Sequence, residues 1–247
     1  MNVNDKMTAL LRMTVLLLSV GVTIGCASQH PRDPLEPMNR AVYGFNDKAD
    51  RYVMKPVAEG YRAVTPQPVR NGVNNFFNNL DDIGSAMNYS LQAQAEPAFY
   101  CFSRFVLNST AGVLGVLDVT GEEQRRFART GFGDTFARWG WKDSSYLVLP
   151  LLGPSTVRDG TGTVAASSFQ RAVVFDSPHQ DVNLTVGAVN AVSTRERLLG
   201  LEESIEGAAL DPYTYTRDGW LQMRAKTTGD TAAQAAEDDI DIDDLVQ

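Results

Sequence analysis

Residues 98–119 restrict the fold more than any other stretch of the chain once its first thirty residues are set aside. They carry Phe99, Tyr100, Phe102, Phe105, Val106 and Leu107, then Val113, Leu114, Gly115, Val116 and Leu117. A helix that crosses a hydrocarbon core of roughly 30 Å needs about 20 consecutive apolar residues. Here Arg104, Asn108, Ser109 and Thr110 break the run at its middle, and Gly112 and Gly115 let the chain bend. Two arrangements remain. One is an in-plane or re-entrant hairpin that puts Phe99, Phe102, Phe105, Leu114 and Leu117 against a membrane, and the other is a helix pair buried in a protein core.

The N-terminus says which compartment to consider. Lys6 and Arg12 precede an apolar stretch at residues 13–24, too short to span a bilayer, and Thr23-Ile24-Gly25-Cys26 follows. This predicts an export signal over residues 1–25 with Cys26 as the acylated first residue of the mature chain. Lipidation sequences usually have Leu or Val three places before the cysteine; Thr23 stands there, with Val22 one place earlier. The alternative is ordinary cleavage after Ala27, which leaves a soluble periplasmic protein. Ala27 after the cysteine, where proteins kept in the inner membrane commonly have Asp, points to the outer membrane. Cys101, inside Phe99-Tyr100-Cys101-Phe102, reads as a small buried hydrophobe.

Residues 26–32 read as a tether and residues 33–225 as one helical domain. Asp33-Pro34-Leu35-Glu36 has the composition of a helix start, and Val42, Phe45, Ala49, Tyr52 and Val53 follow on one helical face until Pro56. After Pro66-Gln67-Pro68, a second amphipathic pattern places Val69, Val73, Phe76, Phe77 and Leu80 on one side and Asn71, Asn74, Asn75, Asn78 and Asn79 on the other. Surface helices normally carry Lys and Glu, so uncharged amides suit a polar passage or a headgroup layer; the same amides could instead cross-link neighbouring loops. Residues 131–162, rich in Gly, Pro and aromatics, read as loops and turns. Helical spacing returns at residues 182–192 and 194–210 and around Trp220. Residues 226–247 read as a disordered tail. Its Glu237, Asp238, Asp239, Asp241, Asp243 and Asp244 account for six of the formal net charge of −8, so the body is nearly neutral and nucleic acid is not an expected partner.

Catalytic patterns are missing. The chain has no G-x-S-x-G, H-E-x-x-H or G-x-x-x-x-G-K-[ST] motif, and of its two histidines His30 falls in the tether and His179 in a loop. Asp81 and Asp82 are adjacent and do not face each other on a helix. No enzyme activity, metal or cofactor is expected. A lipid hydrolase of unfamiliar type would require an essential Ser, His179 or Asp, with His179 the most plausible base.

Six segments in order resemble the MlaA (VacJ) lipoproteins. They are Asp33-Pro34-Leu35-Glu36-Pro37-Met38-Asn39-Arg40, Pro66-Gln67-Pro68-Val69-Arg70-Asn71-Gly72, Asn75-Phe76-Phe77-Asn78-Asn79-Leu80, Arg104-Phe105 with Asn108, residues 149–159 (LPLLGPSTVRD), and Asp211-Pro212-Tyr213. The resemblance implies a mainly α fold: a ring of amphipathic helices in one membrane leaflet, with a central polar channel and disordered termini. It also implies removal of phospholipid from the outer leaflet of the outer membrane, association with a trimeric porin, and delivery to a soluble periplasmic shuttle of MlaC type. On that reading Asn71, Asn74, Asn75, Asn78 and Asn79 are channel-lining candidates, and Phe99, Phe102, Phe105, Leu114 and Leu117 membrane-contact candidates. Family members often have a glycine-rich turn before Tyr-x-x-Leu-Pro. Trp141-Lys142-Asp143-Ser144-Ser145 replaces it here and Gly140 survives as the gate candidate. The competing functional reading is an envelope scaffold that moves no lipid.

Overall fold

The computed structural model describes residues 30–173, 180–205 and 210–228. Helix α1 (Glu36–Ala49) runs through a π-turn (Asp50–Met54) into α2 (Lys55–Val64). Then come α3 (Gln67–Leu91), α4 (Ala95–Thr110), α5 (Phe132–Arg138), α6 (Val157–Val173), α7 (Gln180–Ile205) and α8 (Pro212–Thr228). A single antiparallel hairpin among the described residues, β1 (Tyr146–Leu149) with β2 (Gly153–Thr156), precedes α6. The mainly α class expected from the sequence is the class observed.

Local chemistry explains most helix ends. The first helix begins at Glu36, later than Asp33-Pro34 suggested, with Leu35 as a cap that makes no side-chain bond and Pro37 in the first turn. Asp33 is a fully buried acceptor for other elements instead. Pro56 does not stop the chain. The Lys55 N–H reaches back to the Asp50 carbonyl, and this wider turn places Pro56 in the first turn of α2, where its missing N–H is not needed. Pro66 is extended (φ −58°, ψ 146°) and Pro68 falls in the first turn of α3.

The segment expected to be loops holds more structure than its composition indicated. Seven-residue α5 is too short for a periodic signal and is fixed by Asp134, whose carboxylate accepts the Gly131 N–H at 3.0 Å. The hairpin turns on Leu151 (φ +62°) and Gly153 (φ +82°). The two helical stretches expected at 182–192 and 194–210 are joined, as far as Ile205, in one helix, α7; residues 206–209 lie outside the described residues.

Side-chain burial is inverted relative to a water-soluble domain. The apolar core is small: Tyr146, Val148, Tyr213 and Leu221, flanked by Val42, Tyr43 and Trp220. Among the described residues sixteen polar or charged side chains are buried against ten apolar ones, while twenty-seven large apolar side chains are exposed. Exposed apolar surface on this scale is the mark of a surface that meets a membrane, a partner or a ligand. No described helix is long and apolar enough to cross a membrane.

Candidate functional site

The two sides of α3 divide the molecule chemically. On the amide side, Asn79 donates to Ser109 Oγ at 2.8 Å and Asn75 to the Val116 carbonyl at 3.1 Å, while Asn74 Oδ1 accepts from Ser193 Oγ at 2.7 Å. These bonds tie α3 to α4, to the loop after it and to α7. Asn71 is exposed, and Asn78 faces a closed polar cluster. The five asparagines therefore do not converge on one surface, and three of them join elements.

That cluster is formed by Asn75, Asn78, Asn79, Asp82, Arg104, Asn108, Asp118 and Glu122, and it leaves essentially no room for a water molecule. Arg104, with 5% of its side chain exposed, reaches Asp82 at 3.4 Å, the Gly121 carbonyl at 3.1 Å and Glu122 at 3.1 Å. Arg125 also donates to Asp82, and Arg129 to Glu122 at 2.7 Å. Three guanidiniums thus face Asp82, Asp118 and Glu122. Burial pushes the Asp118 carboxyl upward, but hydrogen bonds from Thr120 and Asn108 and the charge of Arg104 outweigh it and hold Asp118 below the usual carboxylate range. For Glu122 burial is likewise opposed, by Arg129 and Arg125, and its pKa is lowered. In the sequence Arg104 and Asn108 stand out as breaks in an apolar run and as one of the six family-like segments; nothing there pairs them with Asp82 or Glu122.

The other side of α3 lines a cavity of about 550 Å³ shared with α7. Its walls are Pro68, Val69, Gly72, Val73, Phe76 and Phe77 from α3, Thr185, Val186 and Val189 from α7, and Val116 from the loop. The rings of Phe76 and Phe77 meet edge to face, 5.4 Å apart. At the end where α3 begins, Arg62 and Arg70 converge on Glu196: Arg62 Nε is 2.8 Å from its carboxylate, and Arg70 donates to the same oxygen. The apolar periodicity of residues 69–80 was legible in sequence, but the cavity needs α7, and this arginine pair was not singled out.

The membrane-contact candidates lie largely outside. Phe99 is 73% exposed and Leu114 70%, with Phe102 and Leu117 also exposed and Phe105 half-buried. Between Thr110 and Asp118 the loop exposes Val113, Leu114, Val116 and Leu117 together. Val113, Leu114 and Gly115 are consecutive left-handed residues (φ +53°, +57°, +87°), a conformation costly for a β-branched side chain. The loop closes its own backbone bonds: Leu114 N to Ser109 O, Gly115 N to Asn108 O and Leu117 N to Gly112 O, at 2.8 to 2.9 Å. Internal pairing of that kind is what an apolar medium requires of a peptide chain. Gly112 and Gly115 permit it, since a Cβ would lie 2.1 Å from the Leu117 carbonyl at the first and 2.6 Å from Asn79 at the second.

Gly140 has φ +112°, and a Cβ there would meet nothing within 4 Å, so its backbone angle and not crowding calls for glycine. It lies between exposed Trp139 and Trp141, and Trp139 donates to the Leu91 carbonyl at 3.1 Å. The segment that replaces a glycine-rich turn is stapled by buried Arg158, whose guanidinium donates to the carbonyls of Trp141 and Lys142.

The N- and C-terminal motifs meet each other. Asp33 accepts from Asn39 at 2.8 Å and from the Tyr213 hydroxyl, with Arg217 at 3.4 Å. Burial and the adjacent Asp33 raise the Tyr213 phenol well above its ordinary value. Arg40 grips Asp211 with both terminal nitrogens, at 2.8 and 3.3 Å, and this bond holds the Asp211 carboxyl far below the usual range. The chain is therefore fixed from His30 onward, where Arg32 O accepts the Tyr146 N–H at 2.7 Å. Cys26, His179 and the acidic tail lie outside the described residues.

The family model described as MlaA lipoprotein matches residues 31–227. Two relatives, each named "Intermembrane phospholipid transport system lipoprotein MlaA", come from Shigella flexneri and Escherichia coli (strain K12). Each is 33% identical over 253 residues, covering 94% of this chain and 98% of the relative. The protein of the same name from Haemophilus influenzae is 31% identical over 220 residues, covering 85% of this chain and 87% of its own length. A solved structure from work on the "Structural basis for maintenance of bacterial outer membrane lipid asymmetry" superposes with a TM-score of 0.68 at 29% identity. It covers 79% of this chain and 98% of that one.

Proposed function

Because the chain belongs to the MlaA lipoprotein family, we propose that it removes phospholipid from the outer leaflet of the outer membrane and passes it to a soluble periplasmic shuttle. It is a component of intermembrane phospholipid transport and acts in maintaining outer-membrane lipid asymmetry. The observation that carries this reading is the inverted surface: large apolar side chains face outward, while charges and amides are buried. A protein that sits in a leaflet as a ring and offers headgroups a polar passage needs that distribution, and it needs no catalytic group. Acylation at Cys26 adds the anchor, since two or more acyl chains hold a protein stably where one is marginal. Exposed Asn71 is the amide left free to line a channel, and Gly140 is its gate. A porin trimer gives the ring a fixed place in the membrane, and transport runs without an enzyme activity of the chain's own.

The test is the amount of surface-exposed phospholipid after deletion of the gene. Deletion raises it, the wild-type gene restores it, and Cys26→Ala does not. An unchanged outer leaflet in a strain with no second copy would leave the scaffold reading in its place.

A further inference from the structure

We propose that the cavity between α3 and α7 seats one acyl chain of a glycerophospholipid, and that Arg62 and Arg70, where α3 begins, hold the phosphate. The inference rests on the phospholipid reading above and adds where and how the lipid is gripped.

Three observations lead to it. The first is size and lining. The cavity of about 550 Å³ is walled by Val69, Val73, Phe76, Phe77, Val186 and Val189 among others. At about 30 Å³ for a water-sized group, which is close to a methylene, that space takes one chain of roughly eighteen carbons. The second is charge. Arg62 and Arg70 share one carboxylate, Glu196, whose side chain is only 6% exposed. The group keeps one uncompensated positive charge, and a phosphodiester carries one negative charge, so binding would neutralise it. The third is an unmet donor: Arg70 Nε is buried and has no acceptor among the described residues. A buried donor without an acceptor is unfavourable, and an anionic oxygen would satisfy it.

The parts are adjacent along the chain. Arg70 is the residue after Val69 and lies within one turn of Val73, both of which line the cavity. The Ser193 to Asn74 bond, at 2.7 Å, ties α7 to α3 between Glu196 and the cavity residue Val189. A headgroup at Arg70 would stand within one turn of α3 from the apolar walls at Val69 and Val73. Arg62 is the outer member, with 42% of its side chain exposed, and can meet a lipid before Arg70 does.

The experiment uses the full acylated protein in vesicles of phosphatidylethanolamine and phosphatidylglycerol with radiolabelled acyl chains. A photo-crosslinking phenylalanine replaces Phe76, or replaces Phe99 as the exposed control. Phe76 is expected to capture labelled lipid. Arg62→Gln, which leaves Arg70 to partner Glu196, is expected to lower capture at Phe76 about tenfold, the loss of one charge-assisted bond, without changing Phe99. Val73→Trp and, from the opposite wall, Val189→Phe fill the cavity and abolish capture at Phe76; circular dichroism identifies whichever variant keeps the fold. Capture at Phe76 that ignores Arg62→Gln and matches Phe99 means bulk membrane lipid and overturns the proposal. So does capture of the protein's own Cys26-linked chain. In cells, a deletion strain whose surface phospholipid is fully cleared by folded Val73→Trp would reject the cavity site and keep the transport reading. A deletion strain with no surface phospholipid to clear rejects the transport reading itself.

Discussion

Arg104 is held by three carboxylates and a pair of loop carbonyls, and the arrangement breaks if any large part of it is removed. Arg104→Ala removes the most buried of the three guanidiniums and leaves Asp82 to Arg125 and Arg129, and the expected loss is about 3–5 kcal/mol in denaturant unfolding of the detergent-held protein. Titration gives an independent check. The folded pKa values of Asp118 and Glu122 are lowered, so the stability they add is complete above their ordinary values near pH 4 and drains away as pH falls below them. Unfolding midpoints should be flat from neutral to about pH 5 and fall in acid, with the fall reduced in a Glu122→Gln variant. Gly115→Ala is expected to destabilise through a left-handed angle and a clash with Asn79, where an Ala at Gly140 meets only the angle. At this scale the sequence was legible where a residue broke a pattern, as Arg104 and Asn108 did, and silent about partners. Asp82 stands 22 residues from Arg104 and Glu122 stands 18 away, so no local spacing joins them.

Helix α1 shows how elements hold one another. Asn39 accepts the Val148 N–H at 2.9 Å and donates to the Tyr146 carbonyl at 3.1 Å. Two turns on, Asn46 accepts the Leu151 N–H at 2.8 Å and donates to the Leu149 carbonyl at 2.9 Å. The two amides stand in for a strand along the free edge of β1, which keeps that edge from pairing elsewhere. Asn46→Ala orphans Leu149 O and Leu151 N, about 1–3 kcal/mol for each group that stays buried. Hydrogen exchange should rise at residues 149–152 while α3 and α4 keep their protection; an unchanged turn would show that the strand pairing alone suffices. Long amphipathic helices were readable from Val69, Val73, Phe76 and Phe77, but the hairpin was not. Four-residue strands beside Pro150 carry too little periodicity, and their register depends on Asn39 and Asn46, over a hundred residues away.

At the scale of the whole molecule, large apolar side chains face outward and polar ones are buried among the described residues. The apolar side chains that would form a soluble core, among them Phe99, Phe102, Leu114 and Leu117, are outside, and the interior is tied by amides and ion pairs. The sequence carried this choice as an open pair, hairpin against lipid or helices in a core, because the apolar run alone fits both. Which faces turn outward is settled by tertiary packing of α3 on α4, where small Ala86, Ala98 and Cys101 let the helices approach and leave the large side chains no inner space. Exported and acylated, the full chain is expected to fractionate with the outer membrane and to need detergent for release, whereas Cys26→Ala shifts a measurable share to the periplasmic fraction. The outer apolar surface is expected to lie in the leaflet. Spin labels placed singly at Phe99, Leu114 and exposed Glu123 in the vesicle-bound protein test it through their collision rates with oxygen and with a water-soluble nickel chelate. Labels at Phe99 and Leu114 should favour oxygen and exclude nickel, with Glu123 the reverse; equal nickel access at all three positions would contradict the account.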